Sequence, residues 1–78
     1  MKILNEPIKV MAIFHIDGKI EPIQFRLDDK VIKVEKVLKT YEDNFAGNKR
    51  LVFLCRHNSS DKYELKYEVD SGIWYLFT

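Results

Sequence analysis

Residues 28–42, DDKVIKVEKVLKTYE, decide whether this chain mixes a helix with strands or is built from strands alone. Val31, Val34, Leu38 and Tyr41 recur at the spacing of an amphipathic helix, behind an aspartate able to cap it. Against that stand four β-branched residues in seven positions, Val31, Ile32, Val34 and Val37, which lose rotamer freedom in a helix and pack well on a pleated surface. The segment is read as a strand with a bulge near Glu35-Lys36, which keeps Val34 and Val37 on one side. A helix over about residues 29–41, giving an α+β domain, is the alternative.

The flanking sequence favours strands. Asp17-Gly18 separates IKVMAIFHI from IEPIQFRL, and an Asp-Gly pair suits a type I′ hairpin. Further breaks fall at Asp28-Asp29-Lys30, at the longer EDNFAGNKR of residues 42–50, at HNSSDK of residues 57–62, and at Asp70-Ser71-Gly72. Six runs lie between them. Ile23, Phe25 and Leu27 alternate with Gln24 and Arg26, and Tyr63, Leu65, Tyr67 and Val69 alternate with Glu64, Lys66 and Glu68, as half-buried strands do. LVFLC (51–55) and IWYLF (73–77) are continuous apolar runs, expected to be the most buried strands.

A chain of 78 residues makes one domain with a modest core, here residues 1–78. The composition, 46% apolar and 32% charged, is that of a globular domain. Six short strands in sequence bury one face and shield their edges by curling, so the expected fold is an all-β antiparallel meander forming a small SH3-like or partly open barrel. Tyr63, Leu65 and Tyr67 then fill one inward stripe and Trp74 and Leu76, or their neighbours, the facing one, with Tyr75 and Phe77, on the other face from Trp74 and Leu76, as the rings expected to be exceptions.

Glu6, Pro7 and Lys9 interrupt the apolar N-terminus, which reads as neither a signal peptide nor a membrane span, so a cytoplasmic location without a membrane partner is expected. The single cysteine excludes an internal disulfide. Residues 58–60 match a glycosylation sequon, which carries no weight without a secretory signal.

Little in the sequence suggests catalysis. Cys55 and His57 share a strand face, but no third orienting residue accompanies them. With His15 they are the only soft or nitrogen metal ligands, at no recognised spacing, and three glycines build no phosphate loop. The expectation is a non-enzyme without cofactor or metal.

Charge offers more. Net charge is +1, yet residues 30–56 hold Lys30, Lys33, Lys36, Lys39, Lys49, Arg50 and Arg56 against only Glu35, Glu42 and Asp43. Lys33 and Lys39 on the third run, with Phe45, Lys49 and Arg50 on the loop after it, supply the cations and projecting ring of a single-strand nucleic-acid groove. A protein-interaction module anchored through Phe45, Tyr75 or Phe77, or a homodimer through an open edge strand, is the alternative.

Tyr63-Glu64-Leu65-Lys66-Tyr67 followed by Gly72-Ile73-Trp74-Tyr75-Leu76 resembles the end of a family of small bacterial domains of unknown function, often encoded beside or joined to Y-family lesion-bypass DNA polymerases. Pro7-Ile8-Lys9-Val10, Ile23-Gln24-Phe25-Arg26, and Val34-Glu35-Lys36-Val37-Leu38 with Tyr41 are similar to its earlier segments. The resemblance implies a DNA repair setting, with a repair protein or single-stranded nucleic acid as partner, and transfers no catalytic residue.

Overall fold

The computed structural model describes residues 6–57 and 61–77. The sequon and the middle of the turn expected at 57–62, residues 58–60, lie outside the described residues. The chain forms seven strands, β1 (Glu6–Phe14), β2 (Ile20–Leu27), β3 (Lys30–Lys33), β4 (Lys36–Phe45), β5 (Asn48–His57), β6 (Asp61–Glu68) and β7 (Ile73–Phe77). They make one sheet in the order β3-β2-β1-β7-β6-β5-β4, with every pair antiparallel. No described residue is helical. The domain is therefore all-β, a curled half-barrel with a Cα radius of gyration of 12.0 Å.

The deciding segment is extended, but it makes two strands, so the expected six become seven. β3 and β4 are the outermost strands of the sheet and are joined by only Val34 and Glu35. A link that short curls the sheet and draws the ends of its two margins together at the crossing, while β3 and β4 themselves stay unpaired with each other. At the crossing, Val34 N–H donates to the Ile23 carbonyl at 2.8 Å and Glu35 N–H to the Arg56 carbonyl at 2.9 Å, one bond to each side of the seam. The bulge lies at Leu38, between Val37 and Lys39, a few residues beyond its expected place. Val34 and Val37 both pack against the core, as the inward requirement demanded.

Two turns differ from the sequence reading. Asp17-Gly18 is not a type I′ pair: Gly18 has φ 92° but Asp17 does not enter the left-handed region. His15 N–H donates to the Lys19 carbonyl at 2.8 Å around a three-residue loop. An extra residue, Ile23, bulges β2 farther along, because Met11 pairs with Gln24 and Ala12 with Pro22. The type I′ geometry is instead at Ala46 and Gly47, with φ 51° and 83°. The stretch read as a long loop at 42–50 is thus a continuous hairpin closed by Phe45 opposite Asn48.

Inside the curl, Phe25, Ile32, Phe53, Cys55, Leu65, Trp74 and Leu76 form the core, and Tyr63 and Tyr67 pack against it. The Tyr67 and Trp74 rings lie 4.8 Å apart, and Phe53 stacks on Trp74 at 5.6 Å. Most rings of the C-terminal aromatic run are therefore spent on burial, which a small domain requires.

Candidate nucleic-acid interface

Because β-strand side chains alternate, each core residue has neighbours that point outward from the curl. On β4–β7 the outer rows run Lys39–Leu54–Glu64–Phe77, Tyr41–Val52–Lys66–Tyr75 and Asp43–Arg50–Glu68–Ile73. This outer face has a buried centre of its own. Val52 is 0% exposed, Arg50 3% and Lys66 8%. Asp43 Oδ2 serves both cations, Lys66 Nζ at 3.1 Å and an Arg50 terminal nitrogen at 3.7 Å, and Glu64 stands 3.7 Å from Lys66. Aromatic rings complete the enclosure. The Arg50 guanidinium lies 4.5 Å from the Phe45 centroid and 5.4 Å from that of Phe77, while Lys66 Nζ is 4.0 Å from Phe77.

These contacts separate the five residues singled out from sequence. Lys39, Phe45 and Arg50 share the outer face of β4–β5, with Lys39 Nζ 5.4 Å from the Tyr41 ring. Arg50, expected as a free loop contact, is instead a buried strand residue, because the hairpin extends into the presumed loop and Asp43 holds the guanidinium. Lys49 alternates to the other face and pairs with Glu42 at 3.1 Å. Lys33 lies on β3, at the opposite margin of the sheet, where its carbonyl accepts from His57 Nδ1–H at 3.0 Å. No single groove gathers all five.

A different outer surface collects unpaired cations. On β1–β3 the rows are Lys9–Arg26–Val31 and Met11–Gln24–Lys33. Lys9, Arg26 and Lys33 are all exposed. None of the three makes an ion pair among the described residues, whereas Lys49, Arg50, Arg56 and Lys66 each find a carboxylate. Lys9, Met11, Gln24, Arg26 and Val31 line a shallow groove of about 240 Å³. Like charges directly opposite on paired strands repel, so Lys9 facing Arg26 costs stability until an anion lies between them. Lys33 alone of the expected residues belongs to this patch.

Nothing comparable surrounds the cysteine and histidines. Cys55 is 1% exposed and burial pushes its thiol up to about 12, His57 is committed to the Lys33 carbonyl, and His15 Nε2 pairs with Glu21 at 3.0 Å. Among the described residues no three His, Cys, Asp or Glu side chains gather as a metal site, and no helix is long and apolar enough to cross a membrane.

Comparison with known proteins adds no family: no family model, curated protein or solved structure matches the chain.

Proposed function

We propose that this protein is a non-catalytic binding module that takes a nucleic-acid strand across the outer face of β1–β3. The observation that carries the reading is the opposition of Lys9 and Arg26 on paired strands without a carboxylate, with Lys33 diagonal to Arg26. Three cations spread over three strands suit a polyanion better than a single small anion. Arg26 adds a planar group on which a base can stack, and the exposed Met11 and Val31 supply apolar contact beside it. The inert setting of Cys55 and the engagement of His57 support a role without chemistry.

The test is an amide NMR titration with a short single strand and then a duplex, at low and near-physiological salt. Salt-sensitive shifts should centre on Lys9, Met11, Gln24, Arg26 and Lys33. Replacing Arg26 with alanine should weaken binding to all sequences and reduce the salt slope by about 1, as loss of a phosphate contact does. Unchanged affinity in that variant removes the reading. Binding that persists at high salt would turn attention to a protein partner.

A further inference from the structure

We propose that β4 is a dimerisation edge, with which a second copy of this chain pairs antiparallel about a two-fold axis at Tyr41, placing each Lys39 opposite the partner's Asp43. The two margins of the sheet are unequal. β3 is four residues long and carries a lysine at each end, a form that resists further pairing. β4 is ten residues long, with eight of them exposed, and displays Leu38, Tyr41 and Phe45. That is a long, partly apolar margin whose charges, unlike those of β3, are of both signs, so that they repel most partners but can pair with those of a second copy.

The hairpin fixes which backbone groups are free. Phe45 and Asn48 close a two-residue turn, so their backbones bond to each other; by alternation Lys39, Tyr41 and Asp43 also bond towards β5, while Thr40, Glu42 and Asn44 direct N–H and C=O outward. The Lys49 carbonyl agrees with this phase, since it accepts from Val69 on the side away from β4. A symmetric partner must match free groups to free groups and outer face to outer face. A two-fold at Tyr41 does so by pairing Thr40 with the partner's Glu42, twice over.

Charge selects that register among its neighbours. The first half of β4 is basic, with Lys36 and Lys39, and the second half acidic, with Glu42 and Asp43. Centring the pair on Tyr41 brings Lys39 against the partner's Asp43 and one Tyr41 ring against the other. Centring it on Glu42 would set two glutamates face to face, and centring it on Thr40 would leave Lys39 against a tyrosine. The resulting ladder spans residues 39–43 and stops where the Leu38 bulge breaks the edge. An isologous, self-complementary strand of this kind is how two-fold dimers close without propagating.

Sedimentation of the wild-type chain from micromolar to millimolar concentration should show a reversible monomer–dimer equilibrium. Glu42→Pro removes an outward N–H at a position where an edge strand tolerates proline, and should raise the dissociation constant about tenfold or more. Tyr41→Cys should form a disulfide-linked dimer under mild oxidation, because the two substituted residues face each other at the axis, whereas Lys39→Cys alone should not. The native Cys55 is buried and does not compete. A chain that stays monomeric at millimolar concentration overturns the proposal, as does Lys39→Cys cross-linking as readily as Tyr41→Cys.

Discussion

Lys66 is held 3.1 Å from Asp43 on the outer face of the sheet, where the lysine is 8% exposed and the same carboxylate oxygen also faces Arg50. One carboxylate therefore stabilises two cations that water scarcely reaches. Asp43→Asn should cost about 3 kcal/mol, since breaking a buried pair leaves uncompensated charge behind. Lys66→Met should be far milder, because it removes a charge while keeping the packing over Phe77 and Val52. Urea denaturation of the two variants measures the contrast, and equal losses would show that an uncompensated buried charge does not set the cost in this cluster.

Stability and binding should move in opposite directions at Lys9. Lys9→Glu converts the repulsion with Arg26 into an attraction across the strands, a gain of about 0.5 kcal/mol. The same change removes a cation from the proposed nucleic-acid face. A slightly higher melting temperature together with lost strand binding is the expected pair of results. A variant that binds as tightly as the wild type would place the ligand elsewhere.

Alkaline pH should weaken the fold through Cys55. Burial lifts its thiol from 9.0 to about 12, so the folded state holds the neutral form while an unfolded chain ionises earlier. The raised value makes this contribution complete below pH 9.0 and erodes it as pH climbs towards 12, by about 1 kcal/mol per unit. Urea midpoints across that range should fall more steeply for the wild type than for Cys55→Ala. A thiol reagent at neutral pH should label the native protein only on unfolding.

The β4–β5 turn holds a correctable strain. Ala46 has φ 51°, a conformation that costs a residue with a Cβ about 1 kcal/mol, and it is exposed. Ala46→Asn should stabilise the domain by about 0.5 kcal/mol, because asparagine tolerates this region and favours the type I′ turn. Gly47→Ala should destabilise it despite open space around the site, the penalty being conformational at φ +83°. Thermal melts of the two variants should shift in opposite directions.

The strands, the inward stripes of the C-terminal half and the curled form were legible because alternation and β-branching act locally. Breakage of the third run was not, since it follows from where the chain must cross between sheet margins, and nothing at Val34-Glu35 marks that crossing. Arg50 was misplaced because Glu42, Asp43 and Asn44 look like loop residues, and only the tertiary face they share with Arg50 and Lys66 explains polar side chains in a strand. Lys9 and Arg26 did carry a signal. Counting outward from a two-residue turn at Asp17-Gly18 sets them opposite each other, and the observed hairpin reaches the same pairing through a longer loop offset by the Ile23 bulge.

Six ladders hold the sheet, and five of them join strands that are consecutive in sequence. The exception is β1 with β7, where Glu6, Pro7 and Ile8 meet Leu76, Tyr75 and Trp74. Hairpins close quickly over short loops, whereas this contact must span nearly the whole chain before it gives any return. The folding reaction should therefore have two local blocks, β1–β3 and β4–β7, that form early and dock late. Truncating Ile8 to alanine should then slow folding more than unfolding quickens, and the chain's slowest event is the meeting of its first strand with its last.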